Sequence, residues 1–235
     1  MPRSMIKLIR LADIISIMNA SFGFLAVLVL LLDSRLAFEL QIRLAVSFIF
    51  LGLLADGLDG IIARKKGKSD LGEYIESMAD MSSMIIAPAM VVLSLYQGDV
   101  ADSLVFLLIL LCIILFYVIC GIIRLAAFHP LKYQKAFLGL PASAATLTLL
   151  IVAVFYGSYF YILPIMFIIS LLMILPIPFP KPSRKMNEIT AVLIILNLLL
   201  WDMFFSIAPI MLLLCLLLYI FLGPLLQQKK HKESQ

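Results

Sequence analysis

From Leu104 to Ala127 the chain reads LVFLLILLCIILFYVICGIIRLAA, a run with a single charge, Arg124. A bilayer core takes about 20 apolar residues to cross, and lipid offers no hydrogen bonds, so the backbone of such a run must satisfy itself as a helix. Comparable runs recur at about 11 to 32, 39 to 63, 73 to 96, 103 to 128, 138 to 157, 159 to 177, 187 to 204 and 207 to 226. They predict an all-α, polytopic membrane helical bundle of about eight transmembrane helices. The expected organisation is one integral-membrane domain over 1–235, with a core at about 11–177 and two extra C-terminal helices at about 187–226. Composition excludes the soluble alternative, because 64% of residues are hydrophobic and only 14% charged, against an ordinary quarter. The first ten residues, MPRSMIKLIR, are basic but short, and no small-residue cleavage pattern follows; a retained first helix is expected. Cys112, Cys120 and Cys215 lie inside apolar runs, far from other ligands, so neither a disulfide nor a zinc site is implied.

Basic residues alternate with the spans. Arg3, Lys7 and Arg10 precede the first; Arg64, Lys65, Lys66 and Lys68 follow the second; Lys132 and Lys135 follow the fourth; Lys181, Arg184 and Lys185 follow the sixth; Lys229, Lys230 and Lys232 end the chain. The opposite connections hold only Arg35 and Arg43. By the positive-inside rule both termini face the cytoplasm. The same basic rim attracts anionic membrane lipids, although topology alone accounts for it. No nucleic-acid partner is expected.

Four carboxylates break the pattern: Asp56, Asp59, Glu76 and Asp80 lie within or beside the second and third spans. An ionised carboxylate near the bilayer centre costs about 2.5 to 3.5 kcal/mol, so the group needs cations. Asp56 and Asp59 are i, i+3 and Glu76 and Asp80 are i, i+4, which puts each pair on one face of its helix. The two helices are joined by a short basic stretch and must be antiparallel neighbours, so the carboxylates can converge in one pocket opening to the cytoplasm. Oxygen ligands without Cys or His suit Mg²⁺, Mn²⁺ or Ca²⁺. The competing reading is structural pairing of Asp59 with Arg64 and of Glu76 with a loop lysine. Gly57 and Gly60 flank Asp59 and Gly72 opens the next span; small residues there admit a ligand or, equally for Gly57, pack helices. Arg64 stands where a guanidinium can clamp a phosphate.

Asp56-Gly-Leu-Asp59-Gly60-Ile-Ile-Ala63-Arg64, followed after seven residues by Gly72-Glu-Tyr-Ile-Glu76-Ser-Met-Ala-Asp80, resembles the signature of the CDP-alcohol phosphotransferases. Glu76 departs from the usual aspartate, and the spacer is one residue shorter than the commoner form. Flanking stretches look like the serine-specific branch of that family: Asn19-Ala-Ser-Phe-Gly23, Ser77 to Ala89, Arg124-Leu-Ala-Ala-Phe128, Phe137 to Ala145 and, more faintly, PIPFPKPSRK at 176–185. That branch transfers a phosphatidyl-type group from CDP-diacylglycerol or CDP-archaeol to L-serine and releases CMP.

The resemblance implies that Asp56, Asp59, Glu76 and Asp80 hold Mg²⁺ or Mn²⁺, with Ca²⁺ a further candidate, and that Asp80 is also the general base. It implies a CDP-lipid site at Gly60, Ala63, Arg64 and Gly72, with Asn19 added, although an amide in a helix can equally be an interhelical hydrogen bond. Arg124, about one turn from the cytoplasmic end of its span, is assigned to the serine carboxylate or a phosphate, with snorkelling to the interface as the alternative. A homodimer in the cell membrane with its active site facing the cytoplasm completes the expectation. Pro88 is expected to bend the third span. Asp202 lies near an outer end, and His129 and His231 read as solvated. Rival acceptors are glycerol phosphate and inositol phosphate, which demand more basic residues than the spans contain. A cation or proton transporter predicts carboxylates spread through the membrane depth and matching halves, neither of which the sequence has.

Overall fold

Arg10 and Asp13 set the start of the first helix: the Asp13 carboxylate accepts the Arg10 backbone N–H at 2.7 Å, satisfying a donor that the helix cannot. The computed structural model describes residues 5–32, 36–67, 69–131, 136–155, 157–200 and 207–232. Arg3, Arg35, Lys68, Lys132, Lys135 and Asp202 lie outside the described residues, as do the side chains of Lys66, His129 and His231. The chain divides into two compact units, Met1–Val91 and Val92–Gln235.

In the first unit α1 (Leu11–Leu31) packs along α2 (Phe38–Lys66) and against the first half of α3 (Gly72–Tyr96). Helix α2 ends where Gly67 takes φ +80°, a left-handed conformation that glycine adopts without the penalty a Cβ would bring. Its N–H closes on the Ala63 carbonyl at 2.9 Å. Ser69 then turns the chain, its hydroxyl accepting the Leu71 N–H at 3.1 Å, and α3 begins at Gly72. This tight connection makes α2 and α3 consecutive helices with the carboxylates on both.

Helix α3 is not regular throughout. Gly72–Asp80 and Ala87–Tyr96 are α-helical, but Met81–Ile86 is a π-helical turn in which the Ala87 N–H bonds the Ser82 carbonyl. Pro88 explains the position. It has no N–H for the Met84 carbonyl and its ring crowds that group, and widening the preceding turn relieves both. The irregularity expected at Pro88 therefore falls on the turn before it, beside Asp80.

In the second unit α4 (Leu104–Leu131) packs on α6 (Tyr159–Ile174), with Phe116 and Phe167 stacked at 5.2 Å. Helix α5 (Ala142–Phe155) is buried along most of its length and contacts α6 and α8 (Ile207–Lys232); α7 (Arg184–Leu199) also packs on α8. Ser183 caps α7 by accepting the Met186 N–H at 3.3 Å. A short antiparallel pairing, Phe137 with Phe179 and Leu138 with Pro178, ties β1 (Phe137–Leu138) to β2 (Pro178–Phe179).

The described residues thus form an all-helical protein with eight helical bodies at the eight expected positions, but only five are long and apolar enough to cross a membrane. Helices α5 and α6 are shorter apolar helices, and α7 opens with Arg184, Lys185 and Glu188. The expected span 138–157 shrinks for a local reason. Gly139 at φ +79° and the β pairing draw residues 137–141 into a loop, so the helix starts only at Ala142.

Candidate functional site

Helix α1 carries three buried polar residues one turn apart, Asp13, Ser16 and Asn19, at 1%, 4% and 0% exposure. Two of them meet the carboxylates. Ser16 donates its hydroxyl to Asp59 Oδ2 at 2.5 Å, with the Ala12 carbonyl a second neighbour at 3.2 Å. Asn19 Nδ2 donates to Asp80 Oδ1 at 3.1 Å. Asn19 Oδ1 is buried without a hydrogen-bond partner among the described residues.

A pocket opens between the three helices, lined by Ala12, Asp13 and Ser16 from α1, Asp59 and Ala63 from α2, and Gly72 and Glu76 from α3. It unites four residues expected from sequence, Asp59, Ala63, Gly72 and Glu76, with three that sequence reasoning missed. The missed ones left one signal: in an otherwise apolar span, polar side chains recur every third residue from Asp13 to Asn19. Asp56, Gly60 and Arg64 do not line this pocket. Asp56 is half-buried and Arg64 exposed. The Arg64 guanidinium reaches back one turn over Gly60, 3.7 Å from where a Cβ would stand. Around Gly57 a Cβ would meet nothing within 4 Å, so that glycine does not serve helix packing here. Packing falls to Gly23 and Gly52, where a Cβ would stand 2.6 Å from Ser83 Cα and 2.8 Å from Asn19 Oδ1.

Asp56, Asp59 and Glu76 all lie within electrostatic range of Asp80. As the side chains stand, no three Asp, Glu, His or Cys among the described residues are arranged to hold a metal ion. The donor set nevertheless fits a hard divalent cation: ionised carboxylates are acceptor-only oxygen groups, no soft ligand competes, and their summed charge calls for a counter-cation.

In the second unit Arg124, 7% exposed, donates Nε to the Leu140 carbonyl at 3.1 Å and stands 5.8 Å from the centre of the Phe137 ring. Lys181 Nζ stands 5.6 Å from the same ring. Tyr219 lies tilted against Phe179, with 5.7 Å between ring centres, and donates to the Pro180 carbonyl at 3.0 Å. Three of the short flanking motifs, at 124–128, 137–145 and 176–185, therefore meet at one loop cluster. The Arg124 Nε is thus bound by the loop that precedes α5.

A family model for CDP-alcohol phosphatidyltransferase matches residues 9–221. A Methanocaldococcus jannaschii protein named CDP-diacylglycerol–serine O-phosphatidyltransferase is 32% identical over 180 residues, covering 76% of this chain and 78% of that one. An archaetidylserine synthase of Methanothermobacter thermautotrophicus is 34% identical over 181 residues, covering 74% of this chain and 70% of its own. A Bacillus subtilis protein named CDP-diacylglycerol–serine O-phosphatidyltransferase is 34% identical over 156 residues, covering 63% of this chain and 81% of its own.

Proposed function

The chain belongs to the CDP-alcohol phosphatidyltransferase family, and from that premise we propose that it transfers a phosphatidyl-type group from a CDP-lipid to L-serine and releases CMP. The observation that carries this reading is the pocket in which Asp59 and Glu76, from two consecutive helices, face the small residues Ala12, Ala63 and Gly72. Carboxylates in a span are expensive, and a site that binds a divalent metal with a diphosphate gives them a use. The relatives' names point to serine as the acceptor.

Asp56, Asp59, Glu76 and Asp80 would hold Mg²⁺ or Mn²⁺. When bound, such an ion neutralises charge on the diphosphate and stabilises departing CMP. The missing side chains at Gly60 and Gly72 and the methyl of Ala63 leave room for the nucleotide, and Arg64, exposed one turn beyond Gly60, can pair with a phosphate oxygen. In the transfer, the serine hydroxyl oxygen bonds to the β-phosphorus as the bond from that phosphorus to the oxygen of CMP breaks. Asp80 takes the hydroxyl proton, with its Oδ1 accepting from Asn19 Nδ2. Most of the rate comes from holding the reactants in line and from charge stabilisation, since a carboxylate among cations is a modest base.

We assign the chain to the cell membrane as a single integral-membrane domain, with both termini and the pocket on the cytoplasmic side, from the basic residues at both ends and after the second span. A homodimer is the proposed assembly. The test of the activity is purified protein with a CDP-lipid, Mn²⁺ or Mg²⁺, and serine, glycerol phosphate or inositol phosphate in turn. CMP release with serine alone is expected. CMP release with a phosphorylated acceptor in preference to serine would overturn the assignment of the acceptor, and release with none would overturn the enzyme reading.

A further inference from the structure

We propose that Ser16 and Asn19 of α1 are positioning residues that set the orientation of Asp59 and Asp80, an inference that rests on those carboxylates holding a divalent metal. The two sit one turn apart on the buried side of α1, and each donates to one aspartate, Ser16 to Asp59 on α2 and Asn19 to Asp80 on α3. One helix thus fixes one carboxylate from each of the other two.

The chemistry leaves little freedom in either bond. A serine hydroxyl has one proton, and an ionised carboxylate is a stronger acceptor than the Ala12 carbonyl nearby. Asp59 therefore wins the proton, as its shorter contact reflects. Asn19 presents Nδ2 to Asp80 Oδ1 at 3.1 Å, the orientation that a metal-bound carboxylate, which only accepts, requires. Keeping Nδ2 on Asp80 leaves Oδ1 fully buried and without a hydrogen-bond partner among the described residues. A buried amide normally satisfies both ends, and leaving one unmade makes sense where the other bond has a task.

Backbone spacing holds α1 to this role. With Gly23 against the Ser83 backbone and Gly52 against Asn19, the helices approach so closely that α1 cannot drift from the carboxylates without losing those contacts. The π-helical turn starts directly after Asp80, and Asn19 gives that residue an anchor from outside its own helix.

Groups that hydrogen-bond a metal-binding side chain typically cost ten- to a hundred-fold in metal affinity or activity when removed. The test is direct Mn²⁺ binding by electron paramagnetic resonance on the full-length protein in detergent, without substrate, together with kcat at saturating Mn²⁺. Ser16→Ala and Asn19→Leu are expected to weaken Mn²⁺ binding by ten- to a hundred-fold and to lower kcat, and Ser16→Thr, which keeps the donor, to recover most of both. Unchanged Mn²⁺ affinity in folded Ser16→Ala would overturn the proposal and leave α1 as packing alone; should Asn19→Leu not fold, Ser16→Ala decides. Wild-type protein that binds no Mn²⁺ would instead sink the metal reading on which the proposal stands.

Discussion

Gly23 of α1 lies so close to Ser83 that a methyl group on it would stand 2.6 Å from Ser83 Cα and 2.6 Å from its backbone nitrogen. Backbone, not a movable side chain, fills that space, so any larger residue must push α1 away from the π-helical turn of α3. Gly23→Ala is expected to destabilise the protein by about 1 to 3 kcal/mol. Gly57→Ala meets open space and is expected to leave stability nearly unchanged. Thermal unfolding of both variants in the same detergent checks the contrast; equal melting temperatures would contradict the close approach.

Asp59 and Asp80 are expected to be indispensable to turnover. Replacing either with asparagine removes a charge while keeping its shape, and a loss of roughly a hundred- to a thousand-fold in CMP release should follow, given what single charge-stabilising groups contribute. Wild-type turnover in Asp59→Asn or Asp80→Asn would remove the role given to that residue.

Glu76 lines the pocket with one methylene more than the aspartate usual at that position. Shortening it tests whether the longer side chain compensates for the shorter spacer before Gly72. Glu76→Asp should raise the Mn²⁺ concentration needed for half-maximal CMP release several-fold; an unchanged requirement would show that the extra carbon is only tolerated.

Arg124 holds the loop ahead of α5 through Nε, and a lysine has a methylene at that point of the side chain, so it offers no donor there. Losing that bond leaves the buried Leu140 carbonyl unmatched, at a cost of about 1 to 3 kcal/mol. Arg124→Lys is expected to melt earlier than wild type, and the same melting temperature would show that the bond to Leu140 adds no stability.

Sequence reasoning located the eight helical segments because apolar runs bounded by charges leave a chain in lipid few alternatives. The carboxylates on α2 and α3 were equally legible, since charges at depth stand out against such a background. What the runs concealed were local interruptions. Pro88 pointed to a break but not to its form, because the cost of its missing N–H is spread over the turn before it. The start of α5 was hidden because Phe137 and Leu138 are as apolar as a helix yet pair with Pro178 and Phe179 far along the chain. Ser16 and Asp13 went unnoticed for a similar reason: hydroxyls and a carboxylate near a helix start are common, and only tertiary packing sets Ser16 against Asp59. Asn19, expected at the CDP-lipid or in an interhelical hydrogen bond, donates to Asp80 on the neighbouring helix.

Crystals grown with Mn²⁺ and a CDP-lipid, measured at the manganese edge, bear most directly on the claim that the α2 and α3 carboxylates meet around a divalent ion. The expected result is anomalous density between Asp59 and Glu76, with carboxylate oxygens at about 2.0 to 2.3 Å. Manganese bound only elsewhere, or none at all with the nucleotide in place, would contradict it.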